Sequence, residues 1–193
     1  MTQLLIIDLE STCYEKTKQP PYFFSEIIEF GAVVFDVNTL KQVEGYQTFV
    51  RPTLFPQLSP FCKSLTTITQ EQVETGKSIE TAITELNELS RRTKSIFSSW
   101  GFYDQRQTMA VCRRFQLKYP FLPQHINLKQ AHKEFYQLKR PLGMKQALQY
   151  LSLNLSGTHH RGIDDAKNIA KIANQMIEDG WDPLSSIHWV KDK

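Results

Sequence analysis

The stretch from Leu4 to Glu10, Leu-Leu-Ile-Ile-Asp-Leu-Glu, limits what this chain can fold into more than any other. It is a short, uninterrupted apolar run that ends in two acids and has no period of its own. Such a run suits a strand buried on both faces of a sheet. Side chains alternate along a strand, so Asp8 and Glu10 leave from the same face. Two buried carboxylates cost several kcal/mol unless a cation or hydrogen bonds offset them. The pair therefore asks for a divalent metal, a shared proton or an arginine partner.

The rest of the chain has to supply that compensation within one unit. Its 193 residues hold no Gly/Ser-rich, Pro-rich or charge-blocked linker, and 40% of them are hydrophobic, enough for a sizeable core. A single domain over residues 1–193 is expected. Cys13, Cys62 and Cys112 are odd in number and far apart, which argues against a disulfide framework and against a CxxC metal knot. The N-terminal apolar run lacks a basic preamble and a cleavage site, and no stretch approaches a membrane span, so a cytoplasmic protein with no membrane partner is expected. A net charge of +3 barely leans toward a polyanion. Local clusters lean further: Arg91-Arg92 with Lys94, Arg113-Arg114, Lys139-Arg140, and Arg161 beside a histidine pair. For any single cluster a solvated helix face is the favoured reading, since surface Lys and Arg are commonplace.

Along the chain, Ser11 to Ser25 reads as a loop over the acidic strand end, and Ile27–Val37 and Gln42–Val50 as an antiparallel meander. Arg51 to Phe61, with three prolines, reads as an extended connection. Thr69 and Gln72 open a short helix, and Ser78 a longer one ended by Arg91-Arg92-Thr93. A strand over Ser95–Trp100, a helix from Tyr103 to Lys118, a strand over Ile126–Leu128, and helices over Gln130–Leu138, Gly143–Leu151 and Gly162–Asp179 follow. The pattern is α/β, a sheet covered by helices on both faces.

Two further acids are candidates. Asp104 follows a strand end and a glycine. Positions 4, 7, 8 and 11 beyond it are Thr108, Val111, Cys112 and Phe115, largely an apolar face, so it looks inward; the alternative is a plain first-turn acid. In the last helix Asp165 shares its face with Ile169, Ile172 and Met176, whereas Asp164 shares its face with Asn168, Lys171 and Gln175. Asp165 is thus expected to face the core and Asp164 the solvent. An inward acid without a lysine on its own face needs a compensating charge, which a metal shared with Asp8, Glu10 and Asp104 would supply. His160 stands five positions before Asp165 and suits a general base for water. His159 competes, standing five before Asp164, and the outward direction of Asp164 favours His160. His125, His132 and His188 read as surface or satisfied core groups.

With these residues in order, the sequence resembles the DEDDh 3′-to-5′ exonucleases of the RNase H-like superfamily. Asp8-Leu9-Glu10 matches the first motif, Asp104 the second, and His160 with Asp165 the His-x4-Asp third. Ile7 to Cys13, Glu26-Ile-Ile-Glu-Phe, Leu65-Thr-Thr-Ile-Thr-Gln and Gly162-Ile-Asp-Asp-Ala-Lys-Asn-Ile-Ala look like the branch that contains the histone-mRNA and small-RNA-trimming exonucleases and their stand-alone bacterial relatives. That branch often has glycine where Thr67 stands. The resemblance implies an RNase H-like mixed sheet flanked by helices on both faces. It also implies two-metal phosphodiester hydrolysis at a single-stranded 3′ end, RNA preferred and DNA possible, releasing nucleoside 5′-monophosphates. Asp8, Glu10, Asp104 and Asp165 would hold two Mg²⁺ or Mn²⁺, oxygen-only ligands that suit hard cations, with His160 as base. Ser11 and Thr12 would approach the terminal sugar, and Phe102 with Leu65-Thr66 would bound the last base, a core role for Phe102 being equally open. A proofreading-type DNA exonuclease subunit is a competing reading, as is a non-catalytic nucleic-acid-binding module; a decayed site of the latter kind would be expected to lack an acid or the histidine.

Overall fold

A computed structural model describes residues 2–189. The opening run forms β1 (Gln3–Ser11), followed by β2 (Ile27–Asp36) and β3 (Lys41–Phe49). β1 pairs antiparallel with β2, and β2 with β3, with Leu5 opposite Val34 and Glu10 opposite Glu29. β4 (Ile96–Ser99) then lies parallel to β1 on its other side, β5 (Gln124–Asn127) parallel to β4, and β6 (Ile187–Trp189) antiparallel to β5. The sheet order is β3-β2-β1-β4-β5-β6, so β1 sits in the interior, as its unbroken apolar run requires.

The strand period sorts the core into two layers. Leu4 and Ile6 face one side and pack with Val33 and Phe35 against α5 (Leu128–Phe135), α6 (Met144–Tyr150) and α7 (Gly162–Glu178). Leu5, Ile7 and Leu9 face the other side, against α3 (Ile79–Thr93) and α4 (Tyr103–Arg114). Helices thus cover both faces, as expected. The same alternation sends Asp8 and Glu10 to the α7 side.

Local signals set most helix starts. Ser78 caps α3, its Oγ accepting from the Thr81 N–H. Thr69 and Gln72 form a reciprocal capping box on α2 (Gln70–Glu74). The proline-rich connection, in contrast, is not extended throughout: Pro60–Thr66 is a helix, α1, capped by Ser59 with Pro60 in its first turn. Proline disrupts a helix interior but suits the first position, where its missing N–H would be unbonded anyway. α4 ends at Arg114, short of Lys118, because Gln116 turns into the left-handed region (φ 56°) and the Leu117 N–H bonds back to the Cys112 carbonyl. This closes a Schellman-type end without the glycine that would have announced it. Leu128, expected in a strand, is the first residue of α5 under an Asn127 cap, and β6 has no counterpart in the sequence reading.

The polar face of α7 is only partly open to solvent, with Asp164, Lys171 and Gln175 half-buried. Asn168 is fully buried and exchanges hydrogen bonds with the Ser156 backbone, while Asp164 accepts from the Thr158 N–H at 2.8 Å. A loop from Leu151 to Arg161 lies over that face, which a helical period alone does not reveal. Among the described residues no helix is long and apolar enough to cross a membrane.

Candidate active site

Three elements bring acids together. Asp8 and Glu10 come from the end of β1, Asp104 from the first turn of α4 and Asp165 from the first turn of α7. Helix starts favour carboxylates through their free N–H groups and dipole. Glu10, Asp104 and Asp165 are all buried, and Asp104 Oδ1 accepts from the Leu9 N–H at 3.1 Å, which ties α4 to β1 at the acids. Asp8, Glu10 and Asp165 each offer a carboxylate oxygen, and these oxygens lie within 4.8 Å of one another. Together they line a cleft of about 390 Å³ with Asp104, His159 and His160.

Burial is the main cause that raises the pKa of Asp8, Glu10 and Asp104. Glu10 is pushed up to about 8 by desolvation, then by Asp165 and Glu29; Asp8 is raised well above the usual range by desolvation, then by Asp104, Asp165 and Glu10. Asp104 rises to about 6 by desolvation, against the Leu9 N–H. Acids this close cannot all ionise without a cation. An oxygen-only donor set of this density fits a hard divalent ion, and the residues could hold one.

Both histidines reach the site, in different ways. His159 Nδ1 lies 2.9 and 3.1 Å from the two oxygens of Asp165. His160 instead gives its backbone N–H to Asp165 Oδ2 at 3.0 Å, and its ring Nδ1 lies 3.9 Å from Glu10 Oε1. The two rings stack with centroids 3.9 Å apart. Spacing brought His160 to the acids but did not reveal that His159 would hold Asp165. The remaining histidines divide. His188 is exposed, and His125 is buried with Nε2 2.9 Å from Ser99 Oγ. His132 is fully buried against the rings of Trp100, Tyr136 and Tyr150, with no hydrogen-bond partner among the described residues, so it is not the satisfied core group that was expected.

The residues expected around the substrate lie outside the lining of this cleft. Ser11 and Thr12 are buried, and Thr12 Oγ1 accepts from the Glu26 N–H. Thr66 is fully buried, its hydroxyl donating to the Cys62 carbonyl, while Leu65 is half-buried. Phe102 is 39% exposed and packs against the rings of His125 and His188, with Arg106 over its face. None of the five lines the cleft; Trp100, Tyr103 and Met144 do, and the sequence reading missed them. Trp100 and Tyr103 flank Asp104 closely enough that an aromatic beside a site acid was the available signal. Two of the basic residues are committed elsewhere: Arg92 pairs with Glu44 at 2.7 Å and Arg161 with Glu29 at 3.1 Å.

An interior β1 ending in acids, flanked by helices whose first turns return two more, defines an RNase H-like chain with a metal-compatible acid cleft. The chain belongs to the exonuclease family RNase_T, which it matches over residues 5–173. It is 37% identical over 186 residues to human 3'-5' exoribonuclease 1, covering 92% of this chain and 53% of that protein. It is 34% identical over 176 residues to the probable 3'-5' exonuclease KapD of Bacillus subtilis, covering 91% and 85%. The nuclease domain of 3'hExo, a DEDDh family member solved bound to rAMP, superposes with a TM-score of 0.87 at 32% identity, covering 99% of this chain and 97% of that one. This chain spans about half the length of the human relative.

Proposed function

We propose that this chain is a metal-dependent 3′-to-5′ exonuclease that hydrolyses single-stranded RNA, with DNA as a possible second substrate, and releases nucleoside 5′-monophosphates. The observation that carries the reading is the convergence of Asp8, Glu10 and Asp165 oxygens within 4.8 Å, beside Asp104 and His160, in one cleft. RNA as substrate is supported by the relatives, one named an exoribonuclease and one bound to rAMP.

In this reading Asp8, Glu10, Asp104 and Asp165 hold two divalent cations, Mg²⁺ or Mn²⁺. When bound, these supply Lewis-acid polarisation of the scissile phosphate and neutralise charge on the departing 3′ oxygen. His160 takes the proton of the attacking water at a ring nitrogen. Its ring Nδ1 stands 3.9 Å from Glu10 Oε1, whereas the ring of His159 is turned with Nδ1 onto Asp165. Burial and the neighbouring His159 lower the pKa of His160, which keeps it neutral, as a base must be, at neutral pH. Ser11 and Thr12 at the end of β1 would flank the terminal sugar. Leu65 is the more available half of the Leu65-Thr66 pair for the last base, and Phe102 would bound that base only if the strand end extends beyond the cleft.

The test is hydrolysis of an RNA oligonucleotide by the wild-type protein and by Asp8→Ala and Asp165→Ala, with folding checked by circular dichroism. The reading expects 5′-monophosphates from the wild type and no detectable turnover from either variant. A retained rate in both folded variants would remove the metal role of these acids.

A further inference from the structure

β2 is buried along its whole length, yet it carries an acid in its interior, Glu29. Glu29 is the direct cross-strand partner of Glu10, so both carboxylates leave the same face of the sheet. It is a fifth acid at the edge of a site already holding four, and it is fully buried. Its oxygens are occupied by the chain itself. Oε1 accepts from Gln47 Nε2 at 2.6 Å, and Oε2 accepts from Arg161 Nε at 3.1 Å and from the Gly162 N–H at 3.2 Å. The Arg161 guanidinium lies over the Phe49 ring, 5.3 Å from its centroid, which fixes its other side.

Arg161 and Gly162 stand between His160 and Asp165. Arg161, at the cap position of α7, makes no side-chain cap bond, so Glu29 satisfies one of the free N–H groups of the helix start from across the sheet. The turn it holds is strained: His160 sits at φ 64°, a left-handed conformation that costs a histidine about 1 kcal/mol or more and persists only where the surroundings impose it.

We propose that Glu29 is a positioning residue: through Arg161 and the Gly162 N–H it fixes the His160–Gly162 turn and so sets the His160 ring against the acids, without itself taking a metal. The inference rests on the proposed exonuclease reading for its kinetic test but not for its spectroscopic one. It also accounts for Glu29 standing outside the Asp8, Glu10 and Asp165 group, whose oxygens lie within 4.8 Å of one another.

The test compares wild type with Arg161→Met, Arg161→Lys, Glu29→Gln and the Glu29→Gln/Arg161→Met double variant, using an RNA oligonucleotide and Mn²⁺. Arg161→Met should lower kcat about 10- to 100-fold, the usual scale for losing a residue that orients a metal-site group, with KM and half-saturating Mn²⁺ within about threefold of wild type. Arg161→Lys should restore part of kcat, and adding Glu29→Gln to Arg161→Met should cost little more. In ¹H NMR at one pH the His160 ring signals should move in Arg161→Met while those of the buried His125 stay in place. A wild-type kcat in Arg161→Met with only a lower Tm, or unmoved His160 signals, would reduce Glu29 to a structural residue. A rise in half-saturating Mn²⁺ for Glu29→Gln as large as for Glu10→Gln would make it a ligand instead. Should Arg161→Met not fold, Glu29→Gln, which weakens the same bonds to Arg161 and the Gly162 N–H, carries the same comparisons. An inactive wild type would sink the proposed function, and the NMR comparison would still decide this one.

Discussion

Gly31 on β2 and Gly162 at the first turn of α7 meet backbone to backbone: a Cβ on Gly31 would lie 2.0 Å from the Gly162 carbonyl carbon and from the Ile163 nitrogen. No side chain is available there to give way. Gly31→Ala must push α7 off the sheet, and with it His160 and Asp165. It should destabilise the protein by about 1–3 kcal/mol or more, the usual cost of overpacking, and reduce turnover even where the protein remains folded. Thermal unfolding alongside an exonuclease assay at low temperature checks this; wild-type Tm and rate together would show that the contact is easily relieved.

The histidine pair should separate by function. His160→Ala is expected to lose about 10²–10⁴-fold in rate, the range for a general base, and His159→Ala far less. The acid limb of the wild-type rate profile should lie below pH 6.5, because burial, then His159, lowers the His160 pKa from that value and the base is lost only as pH falls through the lowered one. Removing His159 should move that limb upward. The reverse order of the two variants, or a profile flat through pH 5, would assign the base elsewhere.

Metal-free protein should lose stability as pH rises. The Glu10 carboxyl is raised from 4.5 to about 8 by burial first, so between those values the folded state binds more protons than the unfolded one. Stability is then greatest on the acid side of this window for this group and declines toward about pH 8. Asp8, raised in the same sense, adds to the slope. Melting curves in chelator across this range should show a falling Tm, which millimolar Mn²⁺ restores and Glu10→Gln flattens. A Tm that rises through the window in chelator would contradict it.

Thr67 closes α1 at φ 59°, its N–H bonded to the Lys63 carbonyl, a left-handed position that burdens a β-branched residue. Thr67→Gly relieves about 1–2 kcal/mol of strain against a smaller gain in unfolded-chain entropy. The net should be roughly 1 kcal/mol of stabilisation, or about 2–4 °C in Tm for a chain of this size. A lower Tm would mean that the Thr67 side chain contributes packing that outweighs its backbone.

Periodicity carried much of the fold. The unbroken run of β1 announced an interior strand, its alternation put Asp8 and Glu10 on one face, and the Ser78 and Thr69 caps marked helix starts where they stand. The face shared by Asp165, Ile169, Ile172 and Met176 is buried, as a helical period requires. What stayed hidden depended on tertiary contacts or on signals that were absent. α1 was masked because Pro60 reads as a breaker unless Ser59 is seen as its cap. α4 ends without glycine, and β6 is only three residues long. The buried state of Asn168 needs a loop that no period describes. Glu29 became visible only through register. An acid inside Ile27-Ile-Glu-Phe was nevertheless an anomaly on a buried strand, and the Arg161 partner it required was already among the basic residues.

The central claim, hydrolysis from the 3′ end at a metal site, is tested most directly by one polarity assay. RNA and DNA oligonucleotides labelled at either end are incubated with the protein in Mg²⁺, Mn²⁺ or chelator. The expected result is immediate release of 3′ label as mononucleotide and a descending ladder from 5′ label, faster on RNA, with neither in chelator. Internal fragments at early times, loss of 5′ label first, or cleavage that survives chelation would contradict it.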